Sequence, residues 1–134
     1  MSWNEAVGLP SDVIRIVTSV HIGRPPGDVF DYISTPALWP TWHPATVAVR
    51  EVPDRPLRRG ETVVETIAVA GRRTDTRWTV VDCVPPSRWE IVTENPQGSA
   101  RIVYQIEPAG SGSMFQRTLM FRSARFDVAT ILPR

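Results

Sequence analysis

Few side chains in this 134-residue chain could do chemistry, and the best placed is His43. It sits in Leu38-Trp39-Pro40-Thr41-Trp42-His43-Pro44, a turn rich in proline and aromatic rings. An imidazole with an unperturbed pKa of about 6.5 suits proton transfer near neutral pH. It could take a proton alpha to a carbonyl, or give one to a leaving hydroxyl. The sequence shows no partner for it, so a surface ring held between Trp42 and Pro44 outweighs a catalytic base. His43 is therefore only a weak catalytic candidate. His21 lies on a strand-like segment of mixed face and has less claim.

The remaining chemistry is sparse. Glu65, Asp75, Asp82, Glu90 and Glu94 fall on strand-like segments, where solvent-facing positions account for them. Glu65 and Arg77 lie on strands expected to pair. Either could point inward and orient a polar ligand group, with Val64 or its neighbour Glu65 on the concave face, but a cross-strand ion pair outweighs that reading. Two distant histidines and one cysteine have no metal-ligand spacing, so no metal site is expected. No glycine loop of phosphate-binding type is present, and no cofactor is expected. Cys83 is the only cysteine, which excludes an intrachain disulfide and reads as a buried, inert thiol.

The formal net charge is +1, and all 15 basic residues are arginine. The Arg58-Arg59 and Arg72-Arg73 pairs sit at turn tips, not along a helix, so no nucleic-acid surface is expected. No apolar run reaches the about 20 residues of a membrane span. The first residues lack a signal-peptide pattern, so a cytoplasmic location is expected. Length favours a single domain over residues 1–134.

The elements that would position His43 follow from periodicity. Residues 13–22 are rich in β-branched side chains and read as a first strand. Pro26, Val29, Phe30 and Ile33 form one apolar helical stripe, opened by proline and stopped before Pro36. A second short helix or turn is expected over 37–42. Six strand-like segments follow, over 46–52, 61–70, 73–83, 89–94, 100–107 and 114–122. They are joined by turn chemistry at Gly71, Asn95-Pro96-Gln97-Gly98 and Gly110-Ser111. Helices followed by meandering strands mean an α+β layer, with an antiparallel sheet covered on one face. Alternation places Thr76, Trp78 and Val80, Trp89, Ile91 and Thr93, and Ala100, Ile102, Tyr104 and Ile106 on the covered, concave face.

A strand, then Pro-Pro-x-x-Val-Phe-x-Tyr-Ile, then Trp-x-x-Trp-His-Pro, then six strands resembles the START-like superfamily. The resemblance is to its bacterial polyketide cyclase/dehydrase-type branch, over about residues 12–122. It implies a helix-grip fold: a curved antiparallel sheet of about seven strands, two short helices after the first strand, and a cavity for a hydrophobic ligand. The family's long C-terminal helix has little sequence here. Residues 123–134 allow at most two or three turns at about 3.6 residues each. A concave face left uncovered would be a large apolar patch, so a homodimer or a missing helix is expected.

The reading of these residues is a binding site for a small hydrophobic or aromatic ligand, lipid- or polyketide-like. Its lining is expected from Trp42, His43, Trp78, Val80, Trp89, Ile91, Thr93, Ile102 and Tyr104, aromatics with a few polar tips. Trp39 is expected to pack helix onto sheet rather than touch ligand. Two alternatives stay open. One is a cofactor-independent cyclase, aromatase or dehydratase, with His43, Tyr104 or Thr93 handling protons. The other is a protein-interaction or co-chaperone-like module. Fold alone does not choose among them.

Overall fold

The computed structural model describes residues 13–95 and 98–123. The chain runs β1 (Ile14–Ile22), α1 (Pro26–Ile33), a 3-10 turn (Pro36–Leu38), α2 (Trp39–Trp42) and β2 (Thr46–Arg50). There follow β3 (Thr62–Val69), β4 (Arg72–Val84), β5 (Arg88–Asn95), β6 (Gly98–Ala109) and β7 (Gly112–Ser123). The expected elements are all present, within a few residues at their ends. The C-terminal helix expected from the resemblance falls outside the described residues.

All seven strands join one antiparallel sheet in the order β1-β7-β6-β5-β4-β3-β2. Short turns account for this meander. Val69 faces Arg72 across Ala70 and Gly71, both at positive φ. That is the primed geometry whose twist suits a two-residue hairpin. Gly112 is fixed by crowding instead: a Cβ there would stand 2.3 Å from the Ile22 carbonyl oxygen. Register shifts between Thr46 and Ala48 and between Val80 and Asp82 mark bulges, which bend strands and increase local twist.

The helices cover one end of the concave face. In α1, Pro26 occupies the first turn and Val29, Phe30 and Ile33 are buried. They pack in one core with Trp39, Leu57, Val80, Trp89, Ile106 and Phe115. Trp39 donates its indole N–H to the Ile33 carbonyl at 3.0 Å and meets Trp89 edge-on, with ring centroids 6.3 Å apart. Such aromatic pairs add about 0.5–1.5 kcal/mol beyond area burial. The expectation that Trp39 packs helix onto sheet therefore holds, although one part of it also reaches the cavity described below.

Leu57 is the core member that periodicity does not reveal, because it lies in a proline-rich loop. Its N–H donates to the Ser34 carbonyl at 2.9 Å, and its own carbonyl accepts the Trp89 indole N–H at 3.0 Å. The loop thereby ties the end of α1 to the middle of the sheet. It also satisfies polar groups that would cost about 1–3 kcal/mol if buried unpaired.

Two carboxylates depart from the solvent-facing expectation. Glu90 is buried, and it accepts hydrogen bonds from Arg88 and Arg101. Glu65 is also buried and makes no pair with Arg77. The register sets Glu65 opposite Thr76 and Val64 opposite Arg77. Because facing residues share a face of the sheet, Glu65 and Arg77 lie on opposite faces. Arg77 pairs instead with Glu51 at 3.0 Å.

Candidate functional site

Beyond the helices, the concave face opens into a cavity of about 490 Å³. The register explains its walls. Ile91, Ile102 and Leu119 face one another across β5, β6 and β7, and Thr93, Ala100 and Phe121 form the next row. Thr74, Thr76 and Trp78 of β4 and Ile67 of β3 continue the wall, and Trp39, Trp42 and His43 close it from the helix side. The floor is mainly apolar. β3, β6 and β7 bring Glu65, Tyr104 and Arg117 to the same cavity, and Thr74, Thr76, Thr93, Ser99 and Arg122 line it as well.

Local sequence sets His43 there. The residue before a proline is forced out of helical geometry. His43, ahead of Pro44, takes φ −106 and ψ 107 and ends α2. Its N–H still caps the helix by donating to the Trp39 carbonyl at 2.8 Å. The following turn carries Thr46 back beneath the ring, and His43 Nδ1 lies 2.7 Å from Thr46 Oγ1. Thr46 in turn donates to Glu65 Oε2 at 2.5 Å. Trp78 donates its indole N–H to Glu65 Oε1 at 2.9 Å. Thr46, Glu65 and Trp78 are all buried, whereas His43 is half-buried. The ring is not the lone histidine that the sequence suggested: it heads a hydrogen-bonded chain ending in a carboxylate.

Electrostatics favour a neutral imidazole. Burial lowers the His43 pKa, the Arg117 charge lowers it further, and Glu65 partly opposes them. Tyr104 is buried against Arg117, whose guanidinium carbon lies 6.0 Å from the phenol ring centroid. Burial raises the phenol pKa, with Arg117 opposing, so the hydroxyl stays protonated at neutral pH. Two buried donors on the cavity wall have no hydrogen-bond partner among the described residues: Trp42 Nε1 and Arg117 Nε. Buried donors are ordinarily satisfied, so each marks a place for an acceptor.

The residues expected to line a site separate into two groups. Trp42, His43, Trp78, Ile91, Thr93, Ile102 and Tyr104 are brought together on the cavity wall. Val80 and Trp89 are not. Their parity is as expected, but α1, Trp39 and the Leu57 loop lie over them, so they are 1% and 0% exposed. The Trp89 indole is already spent on the Leu57 carbonyl. Sequence reasoning missed Thr46 and Arg117, and it ranked an ion pair with Arg77 above an inward, ligand-facing place for Glu65. A signal existed for two of them. Glu65 is the one charged residue in the inward set Val63, Glu65, Ile67, and Arg117 the one in Phe115, Arg117, Leu119, Phe121. A charge alone at inward parity must be paired or must face a cavity.

Comparison with known proteins bears on this geometry. A family model described as polyketide cyclase / dehydrase and lipid transport matches residues 13–133. The chain belongs to that family. Solved structures agree on its START-like, helix-grip fold. A di-domain aromatase/cyclase, BexL from the BE-7585A biosynthetic pathway, is similar at TM-score 0.70 and 18% identity, over 92% of this chain and 40% of that one. A START superfamily protein from Mycobacterium smegmatis is similar at 0.69 and 12%, over 81% and 77%. Ginseng major latex-like protein 151 from Panax ginseng is similar at 0.67 and 13%, over 91% and 89%. No curated protein sequence matches. Identities this low carry the fold and not the ligand. No helix among the described residues is long and apolar enough to cross a membrane. Among them, too, no three histidine, cysteine or acidic side chains are grouped to hold a metal ion.

Proposed function

We propose that the cavity binds a small hydrophobic or aromatic ligand, lipid- or polyketide-like, with one polar end directed toward Arg117, Tyr104 and His43. The observation that carries this reading is a cavity of about 490 Å³, mainly apolar, whose wall also carries Glu65, Tyr104 and Arg117. Its volume falls in the range typical of small-molecule sites, about 300–1,000 Å³. The unpartnered Arg117 Nε and Trp42 Nε1 offer two donors to an acceptor on the ligand. Membership in a family described by both cyclase/dehydrase activity and lipid transport fits a ligand of this kind.

One observation favours a second reading, a cofactor-independent cyclase or dehydratase: His43 is neutral, tied through Thr46 to Glu65, and lines the cavity. Both readings need the cavity to be occupied. The fluorescent probe 1-anilinonaphthalene-8-sulfonate tests that directly. It is expected to bind one site per chain and to be lost in Ala100→Trp, which fills the cavity from a wall position. Equal probe binding by wild type and a folded Ala100→Trp would place the site elsewhere and end the proposal.

A homodimer accompanies this reading. Ile14, Ile16 and Val20 continue the concave rows onto the sheet edge and remain 41%, 45% and 52% exposed. Sedimentation at micromolar protein is expected to show a dimer, and a monomer would remove that part.

A further inference from the structure

The hydrogen-bond chain on the cavity wall has a direction, and the direction selects a ligand. Trp78 Nε1 can only donate, so Glu65 Oε1 is occupied as an acceptor. Thr46 has one hydroxyl proton, and its hydroxyl is the donor to Glu65 Oε2. With that proton directed at Glu65 Oε2, the Thr46 oxygen presents lone pairs to His43 Nδ1. The Nδ1 position must then carry the imidazole proton. In a neutral ring the other nitrogen, Nε2, is bare. No hydrogen-bond partner meets Nε2 among the described residues, and the side chain lines the cavity.

We propose that His43 Nε2 is the acceptor for an acidic hydroxyl on the ligand, a phenol or an enol, and that Thr46 and Glu65 are the positioning residues that hold this tautomer. The inference rests on the reading of the cavity as a ligand site and narrows it to hydroxylated aromatic or enolic molecules. An apolar molecule without a donor would leave Nε2 stripped of water and unpaired, a cost of about 1–3 kcal/mol. That cost corresponds to about five- to 150-fold in affinity. Arg117 strengthens the selection, because a cation in the same cavity favours a hydroxyl that can share its proton.

The matched pair 2-naphthol and 2-methoxynaphthalene tests this by calorimetry or by fluorescence. They share a ring system and differ in the one proton at issue. Wild type is expected to bind the naphthol at least about tenfold more tightly, since a site built around a hydroxyl penalises its absence. His43→Leu should erase the preference. Thr46→Val should narrow it, and Thr46→Ser, which keeps the hydroxyl, should restore it. Nitrogen-15 spectra of His43 give a readout independent of any probe. Nε2 should appear as the unprotonated nitrogen in wild type, with mixed tautomers in Thr46→Val. A proton found on Nε2 would mean the chain runs the other way, from a protonated Glu65, and would overturn the inference. Equal binding of the two probes would overturn it as well, while leaving the apolar cavity intact as a site. Failure of both probes to bind would overturn the cavity reading itself.

Discussion

The two ends of the concave face are built from the same strands and do opposite things. On β5, Trp89 is sealed in the core, and Thr93, four residues on, lines the cavity. On β4 the sequence runs from Val80 in the core to Trp78, Thr76 and Thr74 along the wall. On β7 it runs from Phe115 beneath α1 to Arg117, Leu119 and Phe121 in the cavity. Side-chain parity is identical throughout. What differs is the lid: α1, Trp39 and Leu57 fill the space over one end and stop short of the other. The chemistry follows in part: the groups sealed under the lid are aromatic and aliphatic, whereas the cavity adds threonines, Glu65 and Arg117 to an apolar wall, with Tyr104 at the boundary opposite Trp89. An alternating strand thus encodes which face is covered, and the covering elements decide whether a position is core or wall.

The contrast breaks most visibly at Trp89. Trp89→Ala removes the largest fully buried side chain, its edge contact with Trp39 and the donor that satisfies the Leu57 carbonyl. A loss of about 3–5 kcal/mol is expected from urea unfolding, as for other large-to-small core changes. A loss below about 1 kcal/mol would mean that this end is as loosely packed as the cavity and that the distinction is false.

How far the sequence carried the fold and the site follows from the same contrast. The seven strands, α1 and the parity of the concave face were legible because periods of 2 and 3.6 are properties of local sequence. Val80 and Trp89 went to the wrong group because parity is blind to what lies above a face. Leu57 was invisible because a loop residue has no period. His43 was legible as a titratable group, but the hydrogen-bond chain steps 3 residues on to Thr46 of β2 and a further 19 to Glu65 of β3. Only the β2–β3 pairing, which sets Val49 opposite Glu65, brings that chain together. An inward Glu65 was weighed and ranked below an ion pair with Arg77, and the inward parity of Arg117 was readable but not drawn.

A reciprocal exchange between Val80 and Thr93 sharpens the comparison at smaller scale. Val80→Thr puts a hydroxyl into a position only 1% exposed. It should cost about 1–3 kcal/mol, the penalty for a buried polar group without a partner. Thr93→Val makes the opposite change on the cavity wall and should alter stability by less than about 0.5 kcal/mol. It should also tighten binding of the anilinonaphthalene probe slightly, by making the wall more apolar. If the two substitutions cost the same by denaturant titration, the lid does not divide the face.

The smallest effect belongs to the boundary between the regions, where His43 is half-buried and solvent screens part of its charge. Its pKa is lowered on folding by burial and by Arg117 of β7, while Glu65 of β3 acts in the opposite sense. Tyr104 of β6 stays neutral and contributes no charge over this range. In the unfolded chain the imidazole returns to about 6.5. Between the lowered folded value and that figure the unfolded chain holds more protons, so stability rises with pH across the window. Read downward, stability starts to fall as pH drops through about 6.5 and levels off below the folded value. His43→Gln has no such proton to bind, so its stability profile should lack this step and diverge from wild type only in that interval. Denaturant midpoints measured at half-unit steps from pH 5 to 7.5 would show it. Parallel profiles would mean that His43 is solvated like a surface residue, and the hydrogen-bond chain to Glu65 would then lose its claim to hold the ring in place.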